Sequence, residues 1–229
     1  MSIPSARDDD PQADEAVEPQ LATRAERKER TRQTLLDAAL ALMGQGRSFT
    51  SLGLREITRE AGVVPTSFYR HFRDLDELGL ALVEEGSRTL RLMLRDARQG
   101  SVPISDIIRA SVRIYRDFVE QHRLHFLFIA GERNGGSPVI RAAIRREVVR
   151  FTAEMAQDLR SLGFRPDLPT RTLEMVCGLV VTTMLNAASD VLDLSPGQPQ
   201  VEQEMMDNFV RQLRLVFLGA SMWREKPTG

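Results

Sequence analysis

Apolar positions recur at helical spacing along most of the chain, and no stretch keeps the two-residue alternation of a half-buried strand. A first helix is expected over residues 24–43, with Leu35, Leu36, Ala39, Leu40 and Met43 on one face and a densely charged opening, RAERKERTR. Gly44-Gln45-Gly46 stops it, and Phe49 is expected to plug a small three-helix core. A long helix follows over 74–98 on Leu75, Leu78, Leu82, Leu90, Leu92 and Leu94, closed by Gly100 and Pro103. Five more are expected at 105–121, 122–131, 138–162, 170–194 and 201–224, separated by Gly- or Pro-containing turns. The fold class is therefore all-α.

Between the first two long helices lies LGLREITREAGVVPTSFYRHF, residues 52–72. Leu54, Ile57 and Ala61 form one stripe, while Arg55, Glu56, Arg59 and Glu60 lie off it. Gly62 can end that short helix in a left-handed conformation, and Pro65 suits the first position of the next. Phe68 and Phe72, four apart, anchor the inner face of the second helix. Thr66, Ser67, Tyr69, Arg70 and His71 are left outward or at the edges. This is the pattern of a helix-turn-helix that reads DNA.

The stretch FTSLGLREITREAGVVPTSFYRHFRDLDEL resembles the N-terminal domain of the TetR family of bacterial transcriptional regulators. The resemblance rests on Tyr69, His71 and Phe72 at the end of the recognition helix, then Asp74, Leu75, Glu77 and Leu78 opening the next. Gly53 departs from it, because the family places Ser or Thr there as helix cap; Thr50 and Ser51 are the nearby hydroxyls. Residues 1–22, acidic and poor in apolar residues, are expected to be a disordered arm, and the resemblance implies a DNA-binding domain over 23–73 and a ligand-binding and dimerisation domain over 74–229.

Charge sharpens this division. The chain of 229 residues is nearly neutral at −1, yet residues 1–20 set Arg7 against six acids while residues 21–73 carry a net +5. The positive charge sits where DNA would sit. Arg27, Arg30 and Arg32 on the first helix are expected at phosphates, which positions a domain without reading sequence. Hydrophobic residues at 42% and charged residues at 28% are an ordinary balance for a chain that buries a core. No run reaches the length of a membrane span and no signal peptide precedes the arm, so a cytoplasmic location is expected. The lone Cys177 is expected as a small buried apolar residue.

The last two helices are apolar around much of their circumference: Leu173, Val176, Val180, Met184 and Leu192 on one, Phe209, Leu213, Val216, Phe217 and Trp223 on the other. A two-fold partner is the expected cover, making the protein a homodimer. A ligand pocket is expected from residues 124–148 together with the helix around Thr182, Thr183, Met184 and Asn186. Phe126, Phe128 and Ile129 supply apolar surface, and Arg133, Arg141, Arg145 and Arg146 an anion-binding cluster. The alternative is that the aromatics are core and the arginines a solvated face. Asn186 and Asp190 face either the pocket or the dimer seam. His122 and His125 share a helix face but have no third metal ligand, so no metal is expected.

This stretch and PTSFYRHFRDLDELGLALV resemble a narrower branch, the TetR-family regulators of unsaturated fatty acid synthesis and desaturation, which sense long-chain acyl-CoA. The resemblance implies a repressor, not an enzyme, with no cofactor and with long-chain acyl-CoA as effector. Thr66, Ser67 and Arg70 are expected at base edges; Arg47, Thr50, Ser51, Tyr69 and His71 at phosphates. The rivals are an efflux repressor sensing a hydrophobic drug or cation, for which a carboxylate-lined pocket would speak, and an acyl-CoA-binding enzyme.

Overall fold

The computed structural model describes residues 23–99 and 107–224. Among the described residues there are nine α-helices, one short 3-10 helix and no strand. The helices are α1 (Arg24–Gly44), α2 (Leu54–Glu60), α3 (Pro65–Phe68), α4 (Leu75–Gln99), α5 (Ile107–Gln121), α6 (Arg123–Glu132), α7 (Pro138–Ser161), α8 (Thr170–Asp193) and α9 (Pro199–Met222), with the 3-10 turn at Phe49–Ser51. The acidic arm, the stop at Gly100 and Pro103, and the side chains of Leu92 and Leu94 lie outside the described residues.

Local chemistry starts each helix. Thr23 and Glu26 form a reciprocal cap on α1, with the Glu26 amide donating to Thr23 Oγ1 at 3.2 Å and the Thr23 amide to Glu26 Oε2 at 2.6 Å. Asp74 accepts from the Glu77 amide at 2.8 Å and so opens α4. Ser137 does the same for α7 through the Ile140 amide at 3.3 Å, with Pro138 in the first turn.

The apolar face expected on α1 is buried, and it packs with Leu52, Ile57, Phe68, Phe72, Leu78 and Leu82 into one core. That core does not stop at the DNA-reading end. Phe128 of α6 and Ile140, Ala143 and Ile144 of α7 belong to it. Phe49 therefore does more than plug three helices: its ring meets Phe128 edge-on at 5.4 Å, across the joint between the small end and the body. At the same joint a Cβ on Gly79 of α4 would come within 2.5 Å of Ile140 Cδ1, so only glycine lets α4 and α7 lie this close.

In the body α8 is central, packed against α5, α6, α7 and α9. By length and composition α8 is apolar enough to cross a membrane, which differs from the expectation that no segment would be. Its inner face, including Leu173, Val176, Cys177, Val180, Ala188 and Leu192, is instead buried among the other helices. Burial pushes the Cys177 thiol up to about 12, fitting its place as a packing residue.

Candidate DNA-reading end and effector cavity

The two short helices are held by the contacts their spacing suggests. Gly62 has φ 65° and closes α2, and Pro65 starts α3. The Phe68 and Phe72 rings pack at 5.6 Å. As regular α-helix α3 is only four residues long; beyond Phe68 the backbone tightens to three-residue bonds, Arg70 N to Ser67 O at 3.2 Å and His71 N to Phe68 O at 2.9 Å. Ile57 is fully buried while Leu54 and Ala61 are only half-buried, and Thr58, outside the expected stripe, is buried with its hydroxyl on Arg55 O.

Of the expected base readers, Thr66 and Arg70 are exposed and Ser67 is half-buried. Tyr69 is 64% exposed, a large ring left in solvent at the reading face. The expected phosphate ligands divide differently. Arg47 Nη1 pairs with Glu56 Oε1 at 2.8 Å and Nη2 donates to Ser51 O at 2.9 Å. The Ser51 hydroxyl donates to Ser48 O at 2.7 Å, and Thr50 abuts Gly136 of the α6–α7 turn. His71 is half-buried against α1, and burial, then Lys28 and Arg32, lower its pKa. Arg32 lies over the Phe72 ring at 5.3 Å, whereas Arg27 and Arg30 are on the exposed start of α1.

Gly53 caps α2 with no side-chain oxygen, and the Glu56 carboxylate makes the reciprocal bond of a capping box alone, accepting the Gly53 amide at 2.9 Å. The Arg47 hydrogen bond, then the Gly53 amide, hold the Glu56 carboxyl well below its ordinary 4.5, at about 2. A carboxylate with a depressed folded pKa adds stability that is present above about 4.5 and lost as pH falls through about 2. Replacing Glu56 by Gln is expected to destabilise at pH 7 and to have little effect near pH 2. Urea midpoints at both pH values check this, and an equal deficit at both would contradict it.

A cavity of about 240 Å³ lies in the body, lined from α4, α5, α6, α7, α8 and α9. Its middle is apolar, with Leu90, Phe126, Ile129, Phe151, Val180 and Met184. Polar groups on its wall include His122, His125, Tyr115, Glu147 and Asp158. Tyr115 donates to Met184 O at 2.9 Å, and its burial raises the hydroxyl pKa. Glu147 pairs with Arg91, a half-buried ion pair, and Arg91 lies over Phe151.

Three expected ligand residues, Phe126, Ile129 and Met184, line this cavity. Phe128 does not: it is 0% exposed in the joint with Phe49, because it projects from the face of α6 opposite Phe126, while Ile129 between the two also packs on the joint core. Arg133 reaches Asn186 Oδ1 at 3.3 Å, Arg141 donates to Gly135 O, and Arg145 is exposed. Thr183 donates to Leu179 O at 2.9 Å. None of these four belongs to the lining. Asn186 and Asp190 are exposed, on the side of α8 away from the cavity. The His122 and His125 rings are 6.5 Å apart, and among the described residues no three His, Cys, Asp or Glu are placed to hold a metal. Sequence reasoning missed Tyr115, Phe151 and Phe217 on the wall; their only signal was membership in apolar helix faces.

Residues 35–82 match the family described as bacterial regulatory proteins, tetR family, and residues 104–213 match the tetracyclin repressor-like C-terminal domain. The fold is similar to a TetR-family transcriptional regulator of Syntrophomonas wolfei, at TM-score 0.69 and 12% identity, covering 86% of this chain and 99% of that one. It is also similar to the fatty acid degradation regulator FadR of Bacillus halodurans, at TM-score 0.60 and 13% identity over 85% and 97%. A third similar structure is a SmeT–triclosan complex, at TM-score 0.59 and 19% identity over 83% and 91%.

Proposed function

Because the chain belongs to the tetR family of bacterial regulatory proteins, we propose that it is a transcriptional repressor that grips a palindromic operator as a homodimer and answers to an apolar effector in the body cavity. The observation that carries the effector half is the cavity itself, an apolar space walled by the long α4 that also packs on the DNA-reading core. Two α3 helices in successive major grooves require half-sites about one helical turn, roughly 34 Å, apart.

The dimer reading is supported by an apolar face that none of the described residues covers. Met175 and Leu179 of α8, and Leu215, Leu218 and Met222 of α9, are exposed at helical spacing on adjoining helices. A second copy would bury them.

Long-chain acyl-CoA is the first effector to test. The apolar lining suits an acyl chain, each buried methylene contributing about 0.8 kcal/mol. With 240 Å³ of room and no arginine among the described residues of its wall, the cavity would take the chain and leave the nucleotide head outside. A second reading is a hydrophobic cation, which would compete with Arg91 for the Glu147 carboxylate on the wall.

The test is fluorescence anisotropy on an operator duplex that the protein itself selects from a randomised pool, titrated with saturated acyl-CoA, cis-unsaturated acyl-CoA and a lipophilic cation. Acyl-CoA is expected to change the operator Kd by about 5–150-fold. No change with either acyl-CoA removes that effector and leaves the repressor, and a change with the cation alone selects the second reading. In the same assay Arg70→Ala is expected to cost about 1–3 kcal/mol and to relax preference at its base pair. A loss equal on all sequences would make Arg70 a phosphate ligand instead.

A further inference from the structure

His125 stands where the cavity, α4 and α1 meet. Its ring is part of the cavity wall, and its Nε2 is enclosed with no hydrogen-bond partner. Glu85 Oε1 on α4 lies 3.9 Å away, beyond hydrogen-bond reach. That same oxygen accepts from Gln33 Nε2 on α1 at 3.1 Å, and Gln33 Nε2 also donates to Asp37 Oδ1 at 3.0 Å. Three helices are thus joined through a chain with one open link. A buried donor or acceptor left unmade costs free energy that a small ring shift would recover.

We infer that His125 is a positioning residue that passes the state of the cavity to α1: closing its gap to Glu85 draws Oε1 from Gln33 and loosens the hold on the helix that carries Arg30 and Arg32. The inference rests on the reading of the cavity as the effector site. Gly86, beside Glu85, also lines the cavity, and its backbone lies against His125, where an added Cβ would meet Cδ2 at 3.5 Å. An occupant here presses on the ring and on α4 at one place. The open and closed arrangements are two discrete states, and both the cavity and the DNA can bias them.

The groups that set the charge of His125 are few. Burial lowers its pKa, Glu85 on α4 raises it, His122 on its own helix lowers it, and Asp37 on α1 raises it. Coupling between sites is reciprocal, so if the His125–Glu85 gap responds to the operator, the operator must shift the titration of His125. A histidine with only a packing role feels the charge of bound DNA alone, so its midpoint shift is the same in chains altered at Glu85 or Gln33 as in the wild type.

The chain has three histidines, so imidazole carbon-bound proton signals can be assigned by replacing His71 and His122 singly with Asn. The experiment records the His125 midpoint by NMR in the free protein and in its complex with the selected operator duplex. A fivefold coupling corresponds to a midpoint shift of about 0.7 pH unit. That shift is expected in the wild-type chain and is expected to vanish in Glu85→Gln and in Gln33→Leu. A midpoint equal in free and bound protein overturns the relay and leaves the DNA-binding reading standing. A shift that survives either substitution overturns the route through Glu85 and Gln33.

Discussion

Replacing Phe128 by alanine is expected to lower the unfolding free energy by about 3–5 kcal/mol, the range for emptying a fully buried aromatic site. Phe128 is 0% exposed and lies in the core that also holds Leu35, Ile57, Phe68 and Phe72. Its ring meets Phe49, the first residue of the 3-10 turn that leads into α2. The loss should therefore reach the DNA-reading end although the substitution is in the body. Glu132, one turn further along α6, strengthens the expectation: it is 2% exposed, and burial raises its carboxyl pKa against the lowering influence of the Phe49 backbone, so the same turn lies beside the same helix. Urea unfolding followed by circular dichroism, alongside operator binding, measures both. Operator affinity should fall in step with stability as one cooperative unit. A deficit under about 1 kcal/mol, or a helix-turn-helix that melts independently at its wild-type midpoint, would show that the two parts do not share a core.

The other large effect is expected at the opposite end of the body. Leu179 is 54% exposed on the outer face of α8, between Met175 and the small residues that follow. Leu179→Glu puts a charge in the middle of the face proposed to meet a second copy. An unpaired carboxylate there costs several kcal/mol per protomer when the interface forms, and two-fold symmetry brings the substitution in twice. Dimers should become monomers in sedimentation velocity, and operator affinity should fall by two orders of magnitude or more, on the order of the 2.7 kcal/mol or above that such a ratio represents. Because the position is exposed in one chain, the melting of the isolated chain should barely change. A variant that stays dimeric and binds operator normally would place the subunit contact elsewhere.

The helices were legible because each carries its own signal. Periodic leucines, Pro65, Asp74 and the glycines at 44, 46 and 62 act within a turn or two of sequence, so their consequences do not depend on what packs against them. The helix-turn-helix was legible for the same reason, since Ile57, Gly62, Pro65, Phe68 and Phe72 are all spaced within one short stretch. The shortness of α3 was not, because no glycine or proline follows Phe68 to mark where its α-helical bonds give way.

Direction is what only the tertiary structure decided. Phe126, Phe128 and Ile129 are equivalent in the sequence, but a helix turns about 100° per residue, so neighbours two apart face opposite ways. The packing of α6 sends Phe126 and Ile129 to the cavity and Phe128 to the joint. The arginines of 133–146 promised an anion site by composition, yet Arg133 and Arg141 are spent on Asn186 and on the Gly135 carbonyl, groups brought near by folding. Arg47, a basic residue of the DNA-reading end, is likewise held by Glu56, nine positions away. Charge and hydrophobicity are properties of residues and can be read in order along a chain. Which partner a side chain meets is settled only when distant helices choose one packing, and that choice put a cavity, a joint and the open His125–Glu85 link where no local pattern marks them.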